Sequence, residues 1–171
     1  MEQLMAKAEE LVRTRIPGSR KGSDTPAHLH SFDVRDLLKA HGCSEEVQLA
    51  GLLHDIVEDG DTALQDLRDA GFSERVAGLV DLCSHDSEIE AGIVRWIKMM
   101  SRLCDAADQD AWLVKIADIT DNLHDAHTMR PDRAQFMYET KRPLLLALSH
   151  PAAGDTTLWK ALREMERVQG S

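Results

Sequence analysis

The sequence predicts an all-α fold, a bundle of helices, and three observations point that way. Apolar residues recur at helical spacing along nearly all of the 171 residues, and the strict alternation of half-buried strands does not occur. Aromatic residues make up only 4%, too few for strands rich in Val, Ile and aromatics. Helix starts and stops can be read directly from capping residues.

Taken in order, residues 2–15 form an amphipathic helix, and a polar Gly/Ser/Lys loop follows near 17–24. The next helix spans 25–41, and Gly42 after His41 offers a left-handed cap. Ser44, followed by Glu45 and Glu46, opens a helix over 45–58, with a cap and two charges that suit the helix dipole. Within it, the run Leu49–Val57 is apolar on nearly every side except for His54-Asp55, so it belongs at the bundle centre. Thr62 with Gln65 fits a capping box for 62–70, which Gly71 closes. Further helices are expected over 73–83, 88–106 (with Ser87 and Glu90 as a second capping box), 109–129, 132–148 and 155–168. Neither repeats nor long linkers divide the chain, so one domain over 1–171 is expected, with its core at about 15–145 and the C-terminal helices packed on it.

Composition narrows function. A net charge of −10 repels phosphate backbones, which disfavours general nucleic-acid binding. A phosphorylated small molecule can still bind, given a local basic patch, a metal ion or both. Cys43, Cys83 and Cys104 are odd in number and contain no C-x-x-C pair, which suits a reducing compartment. The N-terminal segment lacks the layout of a signal peptide, and no apolar run reaches membrane-spanning length. A cytoplasmic location without a membrane partner is therefore expected; oligomeric state is not legible.

The chemistry concentrates in Leu52-Leu53-His54-Asp55-Ile56-Val57-Glu58-Asp59. Ionisable groups in so apolar a segment are costly unless paired or metal-bound. On a continuous helix His54 shares a face with Glu58, and Asp55 with Asp59. An imidazole beside a carboxylate suits a divalent transition metal better than calcium. Further ligands must come from elsewhere. Thr25-Pro26-Ala27-His28-Leu29-His30 opens one helix, and Lys115-Ile116-Ala117-Asp118 lies on another, with Asn122 on the face of Asp118.

The order His30, then His54-Asp55, then Asp118 resembles the signature of the HD phosphohydrolase superfamily. The finer pattern is similar to the hydrolase domain of the RelA/SpoT family, which removes the 3′-diphosphate from (p)ppGpp. Arg20-Lys21 resembles that family's basic pair, and His30-Ser31-Phe32-Asp33-Val34 its H-P-x-x-V. Leu52–Asp59 resembles L-L-H-D-x-x-E-D, and Asp61-Thr62-Ala63-Leu64 the polar start of the next helix. Gly71–Val76 with Leu79-Val80 resembles F-G-x-x-V…L-V, and Lys115–Leu123 resembles K-L-A-D-x-x-x-N. The likeness covers about residues 15 to 145. Ala27, Ser31, Gly60 and Ile119 depart from the pattern, several of them where the nucleotide would be read, while every metal ligand is kept. The synthetase domain of long family members is not expected.

The resemblance implies an HD-domain helical bundle in which His30, His54, Asp55 and Asp118 hold one divalent ion, typically Mn²⁺. Such an ion activates water and neutralises phosphate charge. Glu58 and Asp59 resemble the catalytic pair; one would orient or deprotonate the attacking water and the other handle a second proton, in an order left open. Asn122 is expected to hydrogen-bond substrate or a water at the metal. Arg20 and Lys21 would meet a base or phosphate, and Arg95, Lys98 and Arg102 could add phosphate contacts.

Plainer readings stand beside these. His28 competes with His30 as the ligand, although spacing to Val34 favours His30. Arg20 and Lys21 are nearly as readily loop charges, and the Arg95/Lys98/Arg102 helix a solvated stripe. Asp121 and Asp125 read as a solvated face. His41, His85, His124, His127 and His150 carry no assigned role. Trp96, Met99, Met100, Leu103, Phe136 and Tyr138 read as packing, and the cysteines as small buried hydrophobes. The leading function is hydrolysis of a phosphorylated nucleotide, (p)ppGpp first. The alternatives are a phosphatase for another nucleotide or NADPH, and a metal- or nucleotide-binding sensor without turnover.

Overall fold

The helix α3 (Glu45–Leu53) occupies the centre, as its all-round apolar surface requires. It packs against α1 (Glu2–Arg15), α2 (His28–Ala40), α6 (Glu74–Cys83) and α8 (Gln109–His124). The structure is a computed structural model that describes residues 2–20, 23–59, 61–86, 89 and 92–167, with Asp59 described by its backbone alone. Among these residues the remaining helices are α4 (Ile56–Asp59), α5 (Leu64–Asp69), α7 (Gly92–Ala106), α9 (Pro131–Phe136), α10 (Arg142–Ala153) and α11 (Thr157–Glu164). No strand is present in them beyond one isolated bridge, Ser19 to Pro26, so the all-α expectation holds.

Local chemistry accounts for the boundaries. Ser44 Oγ accepts from the Val47 N–H and caps α3, and Ser73 Oγ does the same for Val76 in α6. Gly42 and Gly71 take φ of 75° and 92°, the left-handed stops expected after α2 and α5. The Thr62–Gln65 capping box does not form. Ala63 is the N-cap of α5, its N–H donates to Asp66 Oδ2 at 2.8 Å, and the Thr62 hydroxyl is buried without a partner. Ser87 and Glu90 lie outside the described residues.

The helix expected over 45–58 breaks at the His-Asp pair. The Gly51 carbonyl accepts from the His54 ring (Nδ1–O 2.7 Å), and the chain turns through His54-Asp55 before α4 begins. At Gly51 α3 also meets α2 closely, and a Cβ there would collide with Leu38 Cδ1. The helix expected over 132–148 is also remodelled, since residues Met137–Lys141 form a π turn between α9 and α10. Pro143 has no N–H to give the carbonyl four residues back, and a widened turn ahead of it relieves the clash. The helix expected over 109–129 ends at His124, and Asp125–Thr128 form one turn of 3₁₀ helix.

α8 is buried along most of its length, with α2, α3 and α6 on one side and α10 and α11 on the other. Trp112, Leu38, Leu49, Leu52, Leu53, Ile116 and Leu123 fill the space between these helices. No described helix is long and apolar enough to cross a membrane. Cys83 is buried, whereas Cys43 is half-buried and Cys104 exposed, so only the first fits the expected small hydrophobe. Tyr138 packs as expected and donates to the Leu123 carbonyl, while Phe136 is exposed.

Candidate metal centre

Three helices bring the predicted ligands together. His30 sits on the first turn of α2, His54 and Asp55 at the break after α3, and Asp118 in the middle of α8. One ligand atom from each of His30, His54 and Asp55 falls within 4.8 Å of the others. Asp118 Oδ1 lies 3.2 Å from His30 Nε2 and 3.8 Å from His54 Nε2, which closes the set. His28 stands apart, edge-on to Phe32, so the choice between the two histidines falls on His30.

Both imidazoles are oriented through their far nitrogens. His54 Nδ1 is engaged by the Gly51 carbonyl, and His30 Nδ1 by Asp121 Oδ2 at 2.6 Å. Donation from Nδ1 leaves each Nε2 lone pair facing the cluster, the arrangement that metal-binding histidines need. His54 is wholly buried and its Nε2 has no hydrogen-bond partner. A buried polar atom without a partner, aimed at two carboxylates, fits a cation. Burial pulls His30 towards the neutral form, yet hydrogen bonds to Asp118 and Asp121 and the charge of Asp55 push its pKa up to about 10. The cluster therefore attracts positive charge, and His30 must give up a proton for Nε2 to bind a metal. Burial pushes the Asp118 carboxyl up, but Lys115 Nζ at 2.7 Å, with His30 and His54, holds it well below the usual carboxylate range.

Asp121 and Asp125 are not a solvated face. Asp121 is buried, and the Arg20 guanidinium joins it at 2.9 Å while reaching Asp125 at 2.8 Å. The loop is shaped to deliver Arg20: its N–H donates to the Thr25 carbonyl, and the Ala27 N–H to the Gly18 carbonyl. Asn122 donates to Asp118 Oδ1 at 2.6 Å, so it orients a ligand as well as lining the site. The sequence offered a signal for Asp121 in its i+3 spacing from Asp118, but a partner 91 residues away cannot be read from one helix.

The cluster opens onto a cavity of about 430 Å³, a size suited to a small-molecule ligand. Four cationic side chains line it: Arg20, Lys115, Arg133 and Lys141. Asp55, Asp118 and Asp125 line it too, and Arg20 and Lys115 pair with carboxylates there, so Arg133 and Lys141 carry the cationic character on the side away from the ligand set. Lys115 is buried and Lys141 half-buried, and Lys141 Nζ stands 5.4 Å from the centre of the Trp96 ring. Trp96 packs as expected, but it also faces the cavity with its indole N–H unpartnered. Lys98 and Arg102 do not reach this cavity. They border a second one beside it, where Arg102 pairs with Asp81 at 3.0 Å. Lys21 and the side chain of Asp59 lie outside the described residues.

Glu58 lies beside the site rather than in it. Its Oε1 accepts the His85 backbone N–H at 2.6 Å, and its Oε2 meets His85 Nδ1 at 2.7 Å. Burial raises the Glu58 pKa, but the hydrogen bond and charge of His85, with Lys115, lower it below the ordinary value. His85, which carried no role in the sequence reading, lines both cavities.

A family model described as HD domain matches residues 8–143. A guanosine-3′,5′-bis(diphosphate) 3′-pyrophosphohydrolase of Vibrio cholerae is 31% identical over 82% of this chain and 20% of its own length. The Drosophila melanogaster pyrophosphohydrolase MESH1 is 32% identical over 63% of this chain and 60% of its own. The chain thus spans less than two thirds of either relative. Among solved structures, a metazoan orthologue of SpoT described as hydrolysing ppGpp superposes with a TM-score of 0.77 at 25% identity, covering 95% of this chain and 91% of its own. The Listeria monocytogenes protein lmo0812, at 22% identity and a TM-score of 0.63, covers 78% of this chain and 88% of its own and shares the fold.

Proposed function

Because the chain belongs to the HD-domain family, we propose that it is a metal-dependent phosphohydrolase that removes the 3′-diphosphate of (p)ppGpp. One observation carries this reading: His30, Asp55 and Asp118, with His54 buried behind them, share a single cavity with four cationic side chains. A chain of linked phosphates needs such a combination, an ion at the bond to be cut and cations along the rest. Pyrophosphohydrolase relatives of similar sequence support the substrate class.

His30, His54, Asp55 and Asp118 would hold the ion. Their nitrogen and carboxylate donors suit a transition metal, and the family resemblance makes Mn²⁺ the expected one. When bound, such an ion supplies an activated water at neutral pH and offsets phosphate charge. Lys115, Arg133 and Lys141 hold phosphate oxygens by charge-assisted hydrogen bonds. Arg20 braces Asp121, and through it His30, and lines the cavity where the substrate would lie. Asn122 keeps the Asp118 carboxylate in place. Glu58 is occupied by His85, which leaves Asp59 as the member of the predicted pair that takes the proton from water. The substrate and the reduced cysteines suit the cytoplasm.

The test is hydrolysis by the purified, Mn²⁺-loaded protein of ppGpp beside a panel of nucleoside phosphates and NADPH, with His54→Ala as the blank. Pyrophosphate released from ppGpp, and lost in the variant, is the expected result. Orthophosphate from another panel member keeps the metal chemistry and replaces the substrate. Metal binding with no turnover of any member leaves a sensor.

A further inference from the structure

His85 belongs to none of the motifs that brought the site together, and its surroundings are unusual for a surface histidine. Glu58 grips the residue twice, at the backbone N–H and at ring Nδ1. With Nδ1 turned to the carboxylate, Nε2 points the other way. That atom is buried without a hydrogen-bond partner, although the residue is only half-buried. His85 lines the cavity that also holds His30, Asp55, Asp118 and Lys115, and Glu58 does not. A carboxylate that fixes one imidazole nitrogen so that the other meets a substrate is the usual construction of an acid–base histidine.

The chemistry needs such a group. Expulsion of a sugar oxygen as a bare alkoxide is unfavourable, so a proton donor at that oxygen lowers the barrier. We propose that His85 is a catalytic residue of this site, its Nε2–H giving the proton that the departing 3′-oxygen takes, and that Glu58 is a positioning residue acting through it. Water attacks phosphorus, the bond from phosphorus to the 3′-oxygen breaks, and its electron pair remains on that oxygen, which receives the His85 proton. The proton lost by the water passes by way of Asp59 and solvent back to the ring. One water is consumed, and one hydroxyl and one diphosphate are formed. The inference rests on the phosphohydrolase reading above.

A double-mutant cycle on the Mn²⁺-loaded full chain tests it, using His85→Ala, His85→Gln, Glu58→Gln and the His85→Ala/Glu58→Gln pair. Glutamine can donate a hydrogen bond from nearly the same point but cannot release a proton. Both His85 variants should lose about 100-fold in kcat, the scale of general acid catalysis, with KM within about threefold. Bound metal and melting temperature should stay at wild-type levels. Glu58→Gln should lose about tenfold alone and nothing further beside His85→Ala. Near-wild-type turnover by His85→Gln would overturn the proton transfer. An undiminished further loss on adding Glu58→Gln to His85→Ala would overturn the coupling. If wild-type protein ignores ppGpp but hydrolyses another panel nucleotide, the substrate reading falls, and the same cycle on that nucleotide judges His85. Turnover of nothing overturns both.

Discussion

One wall of the cavity carries the ligand set, and three of the four ligands are held by a second layer: His54 by the Gly51 carbonyl, His30 by Asp121, which Arg20 holds in turn, and Asp118 by Asn122 and Lys115. On the opposite wall, Trp96 comes from α7, and Arg133 and Lys141 from α9 and the π turn, with Lys141 resting on the Trp96 ring. The difference follows from what each wall must bind. A metal ion demands its donors within a few tenths of an ångström, which only braced, buried side chains supply. A phosphate chain accepts cations over a wider range of positions, so flexible Lys and Arg suffice.

The largest effect should come from breaking the braced wall itself. His54→Ala removes an Nε2 that no other donor can replace, and its loss of metal should exceed the ~100-fold that changes outside the ligand set reach. Metal analysis after dialysis, together with pyrophosphate release, reads this directly. Retained metal would mean that His54 is a buried structural histidine.

Asp121→Asn comes next. It keeps the size of the side chain but weakens the hydrogen bond that aims His30, and it strips Arg20 of one partner. Metal affinity by titration calorimetry should fall about 10- to 100-fold, with the fold unchanged. Unchanged affinity would show that α2 alone orients His30.

The two walls also differ in how far sequence exposes them. The ligands are legible because a His-Asp pair inside Leu49–Val57 has no cheap structural explanation. The helix break there is not legible, because it arises from a side chain taking the Gly51 carbonyl, and neither propensity nor spacing announces that. Met129, Arg133, Met137 and Lys141 follow one another at intervals of four and all face the cavity. That stripe is visible in the sequence, yet any amphipathic helix has one, and only the packing of α10 on α8 and α7 turns it toward the site. Asp121 and His85 are not legible in the sequence for a related reason. Each looks like an ordinary surface residue until its long-range partner, His30 or Glu58, is known.

On the substrate wall, Lys141→Ala should raise KM for ppGpp about tenfold, equivalent to ~1.4 kcal/mol, while kcat and bound metal stay near wild type. Burial lowers the pKa of Lys141, so its ammonium is destabilised until an anion arrives. A fall in kcat with KM unchanged would instead place Lys141 at the reacting phosphorus.

Lys98→Ala should do least. Lys98 stands on α7 two residues beyond Trp96, but it borders the second cavity, with Arg102 and Asp81. The first cavity is lined by Trp96 and His85 but not by Lys98. A surface cation outside the substrate path changes stability by within about 0.5 kcal/mol, and KM for ppGpp should move less than about twofold. The two lysine variants compared in one assay set the limit of the substrate wall. If Lys98→Ala raises KM as much as Lys141→Ala, the phosphate chain runs past His85 into the second cavity, and the cationic wall continues along α7 instead of stopping at the π turn.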